Sequence, residues 1–129
     1  MQDRSTRDGL RVGDSAGAGR GVFATRAFAA GETLEVAPVL VIPPDQVDAL
    51  RQTGLRHYVW RWGSSVAVGL GIISLVNHGV PANAVWLADY TTGELSLNAT
   101  SDIMIGAEVL VDYSKGGERP LSFRPRQDD

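Results

Sequence analysis

The sequence predicts a mostly-β domain of short strands with one clear helix. Three observations predict it. Short apolar, β-branched runs recur along the chain, each bounded by Gly, Pro, Asn or Asp. Only the stretch from Pro44 to Gly54 carries both a helix start and a helix stop. The 129 residues, 43% hydrophobic and 21% charged, suffice for one core and are too few for two.

Residues Met1 to Asp8 are polar and read as an N-terminal arm. Leu10 to Val12 is a first short strand, and the glycine-rich run from Asp14 to Gly21 reads as a loop. Val22-Phe23-Ala24 follows as a strand and Ala29 to Glu32 as a turn. Thr33 to Val36 and Val39 to Ile42 are strand candidates, broken by Pro38 because proline cannot donate to a ladder. In the helix, Pro44 suits the first turn and Asp45 complements the N-terminal dipole. Val47, Ala49 and Leu50 form its apolar face, and Gly54 is the expected stop.

After it, aromatics concentrate from His57 to Trp62, with Ser65 to Val68 as another strand. The apolar run Ile72 to Val76 reads as a buried strand that delivers Asn77 and His78 to a turn of Gly79, Pro81 and Asn83. Ala84 to Tyr90 and Glu94 to Ala99 form a hairpin around Thr91-Thr92-Gly93, with Leu95 and Leu97 on one face. Glu108 to Tyr113 is the last strand. In the polar tail from Lys115, Leu121 and Phe123 are the only large apolar residues.

Composition narrows the function. A net charge of -3 offers no basic footprint, so direct nucleic-acid binding is not expected, the cluster Arg119, Arg124 and Arg126 being the one local exception. Without cysteine, and with only His57 and His78, neither a disulfide framework nor a metal centre is expected. The first residues lack the apolar segment of a signal peptide, and no run approaches the roughly 20 apolar residues of a membrane helix. The expectation is an intracellular, non-secreted domain without membrane association.

Three motifs remain, in fixed order. They are Gly19-Arg20-Gly21-Val22-Phe23-Ala24, then Asn77-His78 with Pro81-Ala82-Asn83, then Glu108-Val109-Leu110-Val111-Asp112-Tyr113. Gly19 and Gly21 lack a Cβ and allow backbone to approach a ligand closely. Each motif alone is also explained by turns and packing. Together, from about Leu10 to about Tyr113, they resemble the SET domain of protein-lysine methyltransferases.

That resemblance implies a β-clip fold with a C-terminal pseudoknot, residues 9–114 forming the domain and residues 1–8 its flexible arm. It implies S-adenosyl-L-methionine as cofactor. The Gly19–Phe23 loop, including Arg20 and Val22, would lie against its methionine part, Asn77 would hydrogen-bond it, and His78 would place its backbone at the adenine. Tyr113 would stand at the methyl-transfer point and orient the lysine amine. Tyr58 and Trp60 would wall the lysine channel with Tyr113, although Trp60 and Trp62 equally suit an aromatic mini-core. The tail, 115–129, would complete the site, through Phe123 or with a second subunit of a homodimer. The partner would be a lysine-bearing protein, histone-like or otherwise basic, met in the cytoplasm or on chromatin or the nucleoid. Gly79 stands where the family usually has Ser, and the zinc-binding cysteine flanks of many members are absent. The competing reading is a catalytically inactive SET-like interaction module.

Overall fold

A computed structural model describes residues 6–115. Phe123, the three C-terminal arginines and the first five residues lie outside the described residues. Strands β1 (Thr6–Arg7), β2 (Leu10–Ser15) and β3 (Gly19–Ala24) form an antiparallel sheet. The expected glycine loop is therefore much shorter than its composition suggested. Asp14 pairs with Arg20 and Ser15 with Gly19, leaving only Ala16 to Ala18 as the turn. Gly17 and Gly19 have φ of 77° and 76°, the left-handed backbone that closes so short a hairpin. Glycine depresses strand propensity, but a complete ladder against β2 outweighs it.

Strand β4 (Thr33–Ile42) is continuous, where two strands broken at Pro38 were expected. It changes partners at the proline instead. Up to Pro38 it pairs with β9 (Glu94–Ala99), and from Val39 onward with β6 (Ser65–Gly69). Pro38 lacks an N–H, yet its carbonyl still accepts from Leu70 N at 2.8 Å, so the partner change leaves no ladder donor wasted.

The helical stretch is a 3-10 turn, Pro44–Gln46, running into α1 (Val47–Leu50), the single α-helix among the described residues, which buries only Leu50. Gly54 does not stop it. Thr53 does: its hydroxyl donates to Leu50 O at 2.7 Å and accepts from Leu55 N at 3.1 Å, so a second 3-10 turn, Gly54–Tyr58, opens there. Strand β5 (Val59–Trp62) then pairs with β6. Tyr58 thus precedes the strand that carries Trp60 and Trp62.

The apolar run before Asn77 is a 3-10 turn, Ile72–Leu75, and only Asn77–His78 forms a strand, β7. The cause is Glu35, a buried carboxylate on β4. It accepts from the N–H groups of Ile72 (3.1 Å) and Ile73 (2.8 Å), the donors that a helical turn leaves open at its start. The hairpin of β8 (Ala84–Asp89) with β9 matches expectation. Asp89 accepts from Thr91 N and Thr92 N, and Gly93 takes φ 72°. Leu95, Leu97 and Trp86 face inward at 0%, 0% and 1% exposure, each contributing about 1.5–3 kcal/mol by burial.

The last strand is also shorter than expected. β10 is Leu110–Val111, and Glu108 instead forms a lone antiparallel bridge to Phe23. β10 lies between β7 and β8 and parallel to both, giving the order β5-β6-β4-β9-β8-β10-β7. The C-terminal segment therefore passes between two strands that are consecutive in sequence and joined by residues 79–83. Such an arrangement is consistent with the expected pseudoknot and places residues 108–113 beside Asn77.

Candidate functional site

The site is built where β3, β7 and β10 meet. Asn77 Nδ2 donates to Arg20 O and to Glu108 Oε2, both at 2.9 Å. Glu108 Oε1 accepts from Ser15 Oγ at 2.9 Å, so one carboxylate of the third motif ties Asn77 of the second to the β2–β3 hairpin. Gly21 is buried beneath them. A Cβ there would run into Glu108 Oε2 and lie 2.9 Å from Asn77 Nδ2, so close packing demands glycine at this position. Gly19 has open space around it and is needed for its positive φ instead.

Among the described residues no donor reaches Asn77 Oδ1. That oxygen belongs to a residue lining a cleft of about 180 Å³ with Ala18, Arg20, His57, Tyr58 and Leu75. The cleft combines an amide acceptor, a guanidinium, an imidazole and a phenol, a lining suited to a small zwitterionic group. Val22 is fully buried and meets the site only through its carbonyl, which accepts from Val109 N. Phe23 is half-buried, with the Arg11 guanidinium 5.0 Å above its ring.

Tyr113 reaches the same segment from the other side. Its hydroxyl donates to Val76 O at 2.8 Å, and its N–H donates to His78 Nδ1 at 3.1 Å. Because Nδ1 accepts, the imidazole carries no proton on that nitrogen in this arrangement. The His78 side chain therefore positions Tyr113 backbone, a role the sequence did not disclose. Asp112 lies 4.0 Å from His78 Nδ1 and accepts on Oδ1 from the Ser114 hydroxyl and N–H at 2.6 and 3.0 Å. These Ser114 bonds, helped by Lys115, hold the Asp112 carboxyl below its usual range against the opposing effect of burial.

Trp60 is 2% exposed and packs into the core. Its ring centroid lies 5.2 Å from that of Trp86 and 6.0 Å from that of Tyr113, edge-on. Trp60 thus backs Tyr113 from the core side, while Trp62 packs on Tyr90 at 4.8 Å. Tyr58, 36% exposed, is the aromatic at the cleft. Asn83 locks the passage of β10. It donates to Glu108 O at 2.9 Å and accepts from Leu110 N at 2.8 Å.

Sequence reasoning missed Glu35 and Ser15, and gave Glu108, the first residue of the third motif, no role of its own. Glu35 did leave a signal, a lone acid inside the apolar run Leu34 to Ala37. Ser15 and Glu108 left none, because their role depends on a contact between distant segments. Among the described residues no cluster of His, Asp and Glu could hold a metal, and no helix is long and apolar enough to cross a membrane.

The SET domain family profile matches residues 19–114. A Schizosaccharomyces pombe protein described as a histone-lysine N-methyltransferase specific for lysine 37 of histone H3 is 30% identical over 111 residues, 83% of this chain and 74% of that protein. Among solved structures, a Plasmodium falciparum candidate histone methyltransferase matches with TM-score 0.63 at 23% identity, over 84% of this chain and 95% of its own. A chain of the Chaetomium thermophilum polycomb repressive complex 2, in an autoinhibited conformation bound to S-adenosylmethionine, matches with TM-score 0.68 at 20% identity. That match covers 81% of this chain and only 15% of the polycomb chain.

Proposed function

The chain belongs to the SET domain family, and from that premise we propose that it is a protein-lysine N-methyltransferase dependent on S-adenosylmethionine. The observation that carries the reading is the meeting of Asn77 and Tyr113 on one backbone segment. Tyr113 bonds Val76 and His78, the two neighbours of Asn77, so one backbone segment carries the amide and holds the phenol.

The residues fit the cofactor. Its α-ammonium needs an acceptor, which Asn77 Oδ1 offers, and its carboxylate suits the Arg20 and His57 lining of the same cleft. The open backbone at Gly19 suits close approach to its methionine part. When bound, S-adenosylmethionine supplies an electrophilic methyl group on a sulfonium.

Everything else falls to the chain. Tyr113 has its hydroxyl hydrogen engaged by Val76 O, so the phenol would meet an incoming amine through its oxygen and not through its proton. This favours an orienting role over a tyrosinate base, which an ordinary phenol pKa of about 10 also disfavours. Trp60 holds the Tyr113 ring from behind, and Tyr58 would wall the approach, its ring offering an aromatic face to the lysine stem. His78 places its backbone at the adenine, and closure by Phe123 or by a second subunit completes the reading.

The substrate we propose is a lysine of a histone-like or other basic protein on chromatin or the nucleoid, or in the cytoplasm, in line with the fission-yeast relative. Full-length protein incubated with S-adenosylmethionine and histone-like, ribosomal or lysate proteins should give mass gains of one methylene per transfer, located on lysine. No methylation together with no calorimetric binding of the cofactor would overturn the proposal. Binding without turnover would point to the inactive interaction module.

A further inference from the structure

Glu108 has no part in the chemistry above, yet its carboxylate sits at the centre of the site. An ionised carboxylate only accepts hydrogen bonds, and this one takes Asn77 Nδ2 on Oε2 and Ser15 Oγ on Oε1. Its backbone is fixed as well, by the bridge to Phe23 and by Asn83 Nδ2 on its carbonyl. Gly21 leaves the space through which Glu108 reaches Asn77, since a Cβ there would occupy it.

The consequence concerns which end of Asn77 is presented. A carboxamide can rotate to offer either its oxygen or its NH2, and its hydrogen-bond partners decide between them. Here Nδ2 faces two acceptors, Arg20 O and Glu108 Oε2. Rotation would set Oδ1 against both, exchanging two attractions for two repulsions. We infer that Glu108 is a positioning residue that locks the Asn77 amide with its oxygen outward, making the cleft an acceptor site for a cationic amino group. The inference rests on the reading that this cleft takes S-adenosylmethionine, and specifies why its amino group is recognised there. Ser15 anchors the carboxylate from the hairpin, so β2 and β3 also report to the orientation of Asn77.

A swap of polarity tests this. Glu108→Gln keeps the shape but can face Asn77 with either end of its own amide, so the orientation is no longer fixed. Asn77→Asp sets two carboxylates against each other. In the double variant the new carboxylate at 77 accepts from the new amide at 108, and an oxygen is again held outward. Calorimetric titration of the full-length protein with S-adenosylhomocysteine should show each single variant binding about tenfold or more weakly. The double variant should bind more tightly than Asn77→Asp and lose less than the sum of the two single losses, with recovery short of complete because the Arg20 carbonyl then faces a carboxylate oxygen. In turnover assays, Glu108→Gln should raise KM for the cofactor far more than KM for a lysine peptide. A residue needed only for folding would give additive losses in the double variant, and that result would overturn the inference. Equal binding by Glu108→Gln would overturn it too, with the proposed function intact. No binding by the unaltered protein would instead overturn the reading beneath it. If Glu108→Gln does not fold, Asn77→Asp and the double variant still decide, because rescue requires the pair.

Discussion

Tyr113 donates its hydroxyl hydrogen to the carbonyl of Val76, 2.8 Å away, and so ties the end of the chain's last motif to the residue before Asn77. A single bond makes one mechanical unit of the phenol and the segment that carries Asn77. The phenol oxygen keeps its acceptor capacity, while its direction is set by a carbonyl in the folded core, where Val76 is fully buried.

Replacing Tyr113 by Phe separates these two duties. The variant should fold, losing about 1 kcal/mol for one hydrogen bond, because the ring still packs on Trp60. Cofactor affinity should hold within a few-fold, since Asn77 is untouched, while turnover falls by about 10²-fold or more. Thermal unfolding, calorimetry and single-turnover mass spectrometry read the three quantities separately. An unchanged turnover rate would remove Tyr113 from the chemistry.

The two glycines of the first motif should fail differently. Gly19→Ala meets open space and suffers only from its φ of 76°, a cost of about 1–2 kcal/mol. Gly21→Ala sits at an ordinary φ but drives a methyl group into Glu108 and Asn77. It should weaken cofactor binding by about tenfold or more, because relief comes only by displacing the Glu108 and Asn77 side-chain ends. Comparable calorimetric affinities for the two variants would show that the packing under Gly21 does not matter to the ligand.

Asn83 is the lock on β10. Its side chain spends a donor on Glu108 O and an acceptor on Leu110 N. Asn83→Ala strands both backbone groups in a half-buried position, and should cost about 2–4 kcal/mol in denaturant unfolding. Hydrogen exchange should rise first at Leu110 N, whose bond is lost outright. Protection there that survives the substitution would contradict the lock.

Legibility in the sequence followed the range of the interactions. The β8–β9 hairpin was readable because strand alternation, the Asp89 turn and Gly93 all act within a few residues of one another. The three motifs located Asn77 and Tyr113, since they carry the family resemblance. What stayed hidden was set by distant partners. Ile72 to Leu75 has strand-like composition, but a carboxylate on β4 captures two of its N–H groups and bends it into a turn. Pro38 looked like a break because its missing N–H is a local fact, whereas the exchange of β9 for β6 is not. Glu108 could not be assigned from sequence, because its four attachments lie on three other strands and the loop before β8.

Asp112 makes a prediction about acid. Ser114 donates two hydrogen bonds to its carboxylate and keeps its folded-state pKa below the ordinary 3.8. As pH falls toward 3.8, the unfolded chain takes up this proton before the folded one does, so stability declines with falling pH. The contribution is complete above 3.8 and disappears as pH drops through the lower folded value. Asp112→Asn removes that proton uptake. Glu32, whose carboxyl Arg26 and Ala29 N also hold low, titrates equally in both proteins and cancels in their difference. Melting temperatures taken from about pH 6 to about pH 3 should therefore show the unaltered protein ahead at the upper end, with the gap closing below 3.8. A gap that stays constant across the range would mean that the Ser114 bonds do not favour the charged form of Asp112.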